Sequence, residues 1–229
     1  MTSLAADPEL GATKAMKRKM SFDEAVERME NTWIELAMES ETGLELYALR
    51  NQALLGDNWD KEPSKKYSFL LERLQFKAWK NKRGITREIA QRRYVALCQD
   101  LLEFERVYKE VEEKLVPEIT TDEHLEIHGL RTQAVMGDVR GKRPSNLRST
   151  TYLEQQQWES WNSKKGLSQH FARTGYLQRV REYADKYGIP IDLPLERPVL
   201  LPENVHRHFH HHYHYNTEPN YEPVYEHIQ

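Results

Sequence analysis

Cysteine is almost absent from this sequence, since Cys98 is the only one in 229 residues. A lone cysteine excludes an intrachain disulfide framework, and a chain without disulfides is typical of a reducing compartment. We therefore expect an intracellular protein, either mitochondrial or cytoplasmic. Glycine is scarce as well, with ten residues, and this favours helical domains over β-sandwiches or barrels.

Long apolar runs and a strong charge of either sign are also missing. No run approaches the roughly 18 residues that cross a bilayer, so we expect no transmembrane segment. The net charge of −3 provides no basic field for nucleic acid. The N-terminus does carry a small basic cluster of Lys14, Lys17, Arg18 and Lys19. Asp7 and Glu9 weaken a mitochondrial presequence, so a flexible or partner-bound leader is our preferred interpretation.

The chain contains an internal repeat, which points to two related domains. The first set comprises Leu49, Arg50, Gln52, Ala53, Gly56, Asp57, Lys61 and Pro63. It recurs 81 positions later as Leu130, Arg131, Gln133, Ala134, Gly137, Asp138, Lys142 and Pro144. After a one-residue insertion, Trp79, Gly84, Ala90 and Tyr94 pair with Trp161, Gly166, Ala172 and Tyr176. We place a leader at 1–20, domains at 21–103 and 104–189, and a tail at 190–229.

Local signals predict four helices in each copy. Ser21 with Glu24 forms a capping box before a first helix that runs as far as Leu36. A second helix ends near Gly56, a third carries Leu71, Leu74 and Ala78, and a fourth begins after Thr86. In the second copy, the helix signals are Thr120 with Glu123, Ser168, and Gly188 followed by Pro190.

The junction between the copies carries a regular apolar seam. Its members are Ala90, Tyr94, Leu97, Leu101, Phe104, Tyr108, Val111 and Leu115. Because no Gly or Pro interrupts residues 87–115, the pattern predicts one continuous helix of about 40 Å that belongs to both copies. A coiled-coil partner is the alternative use of this seam, and we favour the module cores.

The repeated motifs resemble the acyl-CoA-binding protein family. The second copy carries them most fully, in Gln133-Ala-Val-Met-Gly-Asp-Val139, Arg143-Pro144, Trp158-Glu-Ser-Trp161-Asn162, Lys165-Gly166 and Lys186-Tyr-Gly-Ile189. The resemblance implies a four-helix bundle for each copy. Together with the seam, it predicts an all-α fold of two tandem four-helix bundles that share a long connecting helix, flanked by extended N- and C-terminal tails. It also implies binding without covalent chemistry, so we expect no enzyme activity, cofactor or metal.

In this family a bundle shelters a fatty acyl chain and clamps the phosphorylated adenosine of coenzyme A at its rim. The resemblance assigns Tyr47, Tyr94 and Tyr176 to the ligand tyrosines, and His128 stands at the remaining tyrosine position. The ligand lysine of the second helix is replaced by Asn51 and Thr132, and that of the third helix by Gln75 and Gln157. A second tyrosine of the second helix has become Arg50 and Arg131, which could supply part of the lost charge.

Loss of these lysines predicts weakened binding. A hydrogen bond to a charged group contributes about 1.5–3 kcal/mol, so losing two weakens affinity by about a hundredfold to ten-thousandfold. The sequence therefore favours an accessory subunit of a larger assembly, which the protein contacts through its leader and tail, and a mitochondrial assembly is one candidate host. A functional long-chain acyl-CoA carrier is the alternative.

The C-terminal tail changes character after Ile189. Pro190, Pro194, Pro198 and Pro202 recur four apart, which favours an extended strap along a protein surface. The His-rich stretch 206–215 suits either a transition metal or contacts with a partner, and we prefer the partner. His124 and His128 lie one helical turn apart without an evident third ligand, so we interpret them as surface or groove histidines.

Overall fold

The computed structural model describes residues 20–32, 36–60, 63, 69–141, 143–144 and 151–194. These residues form seven helices and no strand, which confirms the all-α prediction. The helices are α1 Phe22–Glu30, α2 Glu41–Leu55, α3 Leu70–Lys80, α4 Arg87–Lys114, α5 Thr121–Met136, α6 Tyr152–Asn162 and α7 Gln169–Tyr187. Residues 1–19 and 195–229 lie outside the described residues, and with them fall the predicted leader, most of the tail and its His-rich stretch.

Helix α4 is shared by both copies, as the seam predicts. It runs for 28 residues without a break, which corresponds to about 42 Å. Its first half completes α1–α3, and its second half completes α5–α7. The domain border placed at 103/104 falls inside this helix and stays a prediction.

The apolar seam of α4 packs into two separate cores. Tyr94 lies in a core with Met20, Ala25, Leu49 and Cys98. The second core contains Phe104, Val107, Val111, Leu115, Ile127, Leu130, Ala134, Val135, Ala172, Tyr176 and Val180. Each half of the seam is thus buried in its own module, which is the use that the sequence favoured over a coiled coil.

Most helix starts are confirmed by their caps. The hydroxyls of Thr86, Thr120 and Ser168 each accept the backbone N–H three residues later. These contacts satisfy one of the free donors in each first turn. At the end of α7, Gly188 adopts φ 65°, the left-handed conformation that favours glycine.

The predicted length of the first helix is wrong, because α1 ends at Glu30 and Leu36 is not helical. The Asn31 side chain donates to the carbonyl of Glu27 at 2.9 Å, and the Thr32 hydroxyl donates to the carbonyl of Arg28. Asn and Thr side chains of this kind compete with the helical backbone for its carbonyls. The apolar spacing of the sequence does not reveal this competition.

The beginning of the C-terminal strap packs against the second copy. Ile189, Ile191 and Leu193 lie against the second core, and Asp192 forms an ion pair with Arg106 of α4 at 3.2 Å. Residues 189–193 therefore follow the protein surface, as their apolar composition predicts. No helix among the described residues is long and apolar enough to span a membrane.

The two copies also touch away from α4, where the start of α2 meets the end of α5 and the start of α7. The Thr42 N–H donates to Gln169 Oε1 at 2.7 Å, and the Gln169 amide donates to the carbonyls of Ala134 and Val135 at 3.2 and 3.0 Å. Arg173 adds a bond to the Thr42 hydroxyl at 3.2 Å. We call Thr42, Gln169 and Arg173 the inter-copy contact. Together with α4 it holds the copies at two places.

Candidate ligand-binding site

The residues that repeat most faithfully form a buried polar bracket in the second copy. The Gln133 amide donates to Asp138 Oδ1 at 2.8 Å and to the carbonyl of Leu167 at 2.6 Å. Asp138 also accepts the Gly166 N–H at 2.7 Å. The Trp161 indole donates to Gln133 Oε1 at 3.2 Å and to the carbonyl of Gly137, directly after α5, at 2.9 Å. This bracket ties the end of α5 to α6 and to the loop before α7.

The first copy contains the same bracket with one bond fewer. The Gln52 amide donates to Asp57 Oδ1 at 2.8 Å and to the carbonyl of Ile85 at 2.7 Å. Asp57 accepts the Gly84 N–H at 3.0 Å, and these two contacts lower the pKa of its carboxyl. Trp79 bonds only the carbonyl of Gly56, and Gln52 Oε1 has no partner among the described residues. The repeated Gln, Asp and Trp side chains therefore maintain the fold, and the candidate ligand contacts come from other residues.

An aromatic pair marks the equivalent place in each copy. Phe22 meets Tyr94 edge to face with ring centroids 5.2 Å apart, and Phe104 meets Tyr176 in the same way at 5.1 Å. Such pairs are favoured by the charge distribution of the rings. Burial raises the pKa of both tyrosines, so their hydroxyls stay protonated. The structure thus places two of the predicted ligand tyrosines at matching positions.

In the first copy the candidate cation is already paired. Arg50 Nη2 lies 2.7 Å from Glu30 Oε1, and both side chains are about half exposed. Asn51 is occupied locally, because its amide donates to the Tyr47 carbonyl at 2.8 Å. Gln75 is half-buried on α3. None of these side chains offers an unpaired positive charge.

A cavity of about 240 Å³ opens beside this ion pair. Its lining consists of Phe22, Asp23, Val26, Glu27, Glu30, Arg50 and Leu54. Three carboxylates and one guanidinium thus surround an apolar floor. At neutral pH the carboxylates outnumber the guanidinium, so the cavity disfavours an anionic ligand.

In the second copy the corresponding space is nearly filled. The guanidinium of Arg131 stacks over the Tyr108 ring at 3.9 Å from its centroid. Thr132 donates to the His128 carbonyl at 2.8 Å, and Gln157 is half-buried on α6. The cavity that Tyr108, Arg131 and Tyr176 line here measures about 10 Å³, roughly the space of one water molecule. The Tyr176 hydroxyl is buried at this place without a hydrogen-bond partner among the described residues.

Three contributors to these sites were missed by sequence reasoning: Phe22, Glu30 and Tyr108. Phe22 and Glu30 stand eight positions apart, as do Phe104 and Glu112, and Glu112 lines the small cavity of the second copy. This spacing agrees with the prediction that the second half of α4 serves as the first helix of the second copy and thus corresponds to α1. The repeated residues quoted above begin only in α2 and α5, at Leu49 and Leu130.

His128 provides a pH-sensitive group at the second site. Burial, together with nearby His124 and Arg131, lowers the pKa of His128 from 6.5 to about 4. The two histidine rings are 6.4 Å apart. Among the described residues, no group of three or more His, Cys, Asp and Glu side chains is arranged to hold a metal.

We expect His128 to make the protein less stable as the pH falls from 6.5 to 4. The folded state holds this imidazole neutral, so its contribution is fully present above pH 6.5 and is lost as the pH falls towards 4. This contribution to the free energy of unfolding is at most about 3 kcal/mol. Urea unfolding across this range should show a smaller pH slope in His128→Tyr than in the original chain. A His170→Tyr variant, altered at an exposed histidine, is the control; equal slopes in all three proteins would contradict the assignment.

Comparisons with known proteins agree with the duplicated architecture. The family model described as acyl CoA binding protein matches residues 19–98 and again residues 102–180. The chain is 38% identical over 77 residues to a putative acyl-CoA-binding protein from a Hypsibius species, a match that covers 33% of this chain and 82% of that protein. The comparison with solved structures gave no match.

Proposed function

Because the chain belongs to the acyl-CoA-binding protein family, we propose that it is a non-catalytic accessory subunit of a larger assembly, with weakened binding of fatty acyl-CoA. One observation carries the second part of this proposal. The arginines that stand at ligand positions are engaged within the protein, Arg50 by Glu30 and Arg131 by Tyr108.

Electrostatics argues against tight binding in the first copy. Coenzyme A brings several negative charges, which require charge-assisted hydrogen bonds from cations. The cavity presents Asp23, Glu27 and Glu30, and its one cation, Arg50, is held by a carboxylate. A phosphate entering here would meet like charges.

Space argues against tight binding in the second copy. A cavity of about 10 Å³ accepts a water molecule, not a nucleotide or an acyl chain. A larger cavity would require Arg131 to move away from the Tyr108 ring and the buried Tyr176 side chain to become exposed. The free-energy cost of this rearrangement would weaken the binding of any ligand.

The role of a subunit is supported by rigidity. Helix α4 and the inter-copy contact hold the two modules in one arrangement, which suits a scaffold that positions partners. The leader and tail are the segments we propose as tethers. The host is proposed to be mitochondrial or cytoplasmic, on the grounds of the single cysteine and the basic leader.

A carrier function is the second candidate, and the open cavity of the first copy favours it. Phe22, Val26 and Leu54 provide an apolar floor. An exposed ion pair such as Arg50–Glu30 is worth only about 0–1 kcal/mol. Arg50 could therefore exchange Glu30 for a ligand phosphate at little cost.

Calorimetric titration with a long-chain acyl-CoA separates the two functions. We expect the Asn51→Lys/Gln75→Lys variant to bind at least about a hundredfold more tightly than the unmodified chain, because it regains two charged hydrogen bonds. Thr132→Lys/Gln157→Lys should gain much less, since its cavity is closed. The control Gln99→Lys/Gln178→Lys adds the same charge at exposed positions. Tight binding by the unmodified chain would instead establish a carrier.

A further inference from the structure

One face of α1 carries negative charge that the described residues neutralise only in part. Asp23, Glu27 and Glu30 follow each other at spacings of four and three, so they share a face of the helix. Glu30 is paired with Arg50. Asp23 and Glu27 form no ion pair with any described residue. Among the described residues, Asp23 and Glu27 thus lack a cationic partner.

The same face borders an apolar cavity that is open to solvent. Phe22 and Val26 line it from α1, and Leu54, which is 50% exposed, lines it from α2. An apolar floor with a carboxylate rim fits a segment that carries both basic and apolar side chains. A small metal cation would contact only the carboxylates of the rim and not the apolar floor.

Such a segment stands next to this cavity in the sequence. Residues 14–19 read Lys-Ala-Met-Lys-Arg-Lys and contain four basic side chains around Met16. They connect through Met20, which is 8% exposed in the first core, and through Ser21, whose backbone is extended at the start of α1. The chain therefore enters α1 at the end of the cavity nearest Phe22.

The lengths are compatible with a turn back along α1. Helix α1 has nine residues and is about 13 Å long at 1.5 Å per residue. An extended chain of six residues covers up to about 20 Å. Residues 14–19 can therefore reach the whole row of carboxylates from their attachment at Met20.

We propose that the basic segment 14–19 docks in its own chain against the cavity between α1 and α2, with its cations on Asp23 and Glu27 and Met16 on the apolar floor. The occupant is thus part of the same molecule. This inference goes beyond the accessory-subunit role: it places residues 14–19 of the leader in the cavity of their own chain, and leaves the rest of the leader and the tail as the proposed tethers.

Cross-linking between paired cysteines tests the docking in the full chain. The first variant combines Lys17→Cys with Glu27→Cys, on the cavity face. The matched control combines Lys17→Cys with Arg28→Cys, one position along α1 and turned away by about 100°. Cys98 can remain, since its thiol is fully buried and burial raises its pKa to about 11.

At low ionic strength, a short bismaleimide should join the Glu27 variant within one molecule about three- to tenfold faster than the control, the range expected when a few exposed ion pairs combine. The substitutions bias the test against this result, because the first removes a carboxylate and the control removes a cation. In 1 M salt, where the Debye length is about 3 Å, the ratio should approach one. Adding Lys14→Glu, Arg18→Glu and Lys19→Glu should have the same effect.

Two results would overturn the proposal. Equal rates for both cysteine pairs at low ionic strength would show that the segment has no preference for the cavity face. Cross-linked dimers that form faster with the Glu27 variant than with the control, at a rate that rises with protein concentration, would show that the occupant comes from a second molecule. Circular dichroism of both variants, compared with the original chain, verifies that the substitutions leave the helices intact.

Discussion

Replacing Gln169 with alanine is expected to destabilise the protein by about 2–4 kcal/mol, because a single buried side chain serves the ends of two helices. Gln169 is 2% exposed. Its carbonyl oxygen accepts the N–H of Thr42 in the first turn of α2, and its amide donates to two carbonyls in the last turn of α5. Helix ends leave such groups without intrahelical partners. Alanine returns the Thr42 N–H to an unsatisfied state.

The inter-copy contact gives this substitution a second, local signature. Without Gln169, the start of α2 is held to the second copy by Arg173, through the Thr42 hydroxyl at 3.2 Å. The turn before α2 keeps the Glu39–Arg140 ion pair at 2.7 Å and the bond from the Ala37 N–H to the Val135 carbonyl at 3.3 Å. Hydrogen exchange at the Thr42 amide should therefore accelerate more than exchange at amides in the middle of α4. Urea unfolding measures the change in the free energy of unfolding, and hydrogen exchange shows which part of the protein is destabilised.

Gln178→Ala is the matched control for Gln169→Ala. Gln178 lies on the same helix, is exposed and bonds Glu182 at 3.0 Å. Its replacement should change the free energy of unfolding by less than about 0.5 kcal/mol. Similar losses for the two variants would mean that the inter-copy contact adds nothing to stability.

Gln133→Ala is the second substitution with a large expected effect, again about 2–4 kcal/mol. Gln133 is 1% exposed and makes three hydrogen bonds in the bracket of the second copy. Alanine leaves the Leu167 carbonyl without this donor and opens space beside Trp161. Both losses act on the folded state.

Gln52→Ala tests the same position in the first copy and should be the milder change. Its amide makes the two equivalent bonds, but its carbonyl oxygen has no partner among the described residues. The loss of unfolding free energy in Gln52→Ala should be smaller than that in Gln133→Ala by about 1 kcal/mol, the net contribution of one hydrogen bond. Equal or reversed losses in urea unfolding would show that the Trp161 contact does not add to stability.

The local signals of the sequence were sufficient for most of the helices. Thr86, Thr120 and Ser168 cap the helices that they predict, because an N-cap depends on a side chain and a backbone group only three residues away. The start of α2 was not predicted, although Ser40 caps it in the same way. The end of α1 was misplaced, since apolar spacing continues past the residues that break the helix.

The candidate site was predictable in its residue types but not in its contacts. The resemblance located Arg50 and Arg131 at ligand positions. Whether an arginine is available depends on its neighbours across the fold, Glu30 from α1 in one copy and Tyr108 from α4 in the other. Their ligand roles stay predictions until binding is measured.

The sequence by itself determined the duplication, the helical class and the continuous α4, because each depends on repeated spacing or on interactions within a few residues. Only the tertiary structure decided that the repeated Gln, Asp and Trp form a bracket, that Gln169 joins the copies, and that one cavity is open and acidic while the other is filled. These features depend on atoms brought together from distant parts of the chain. Thr42 and Gln169, for example, are separated by 127 positions, and no local pattern encodes their contact.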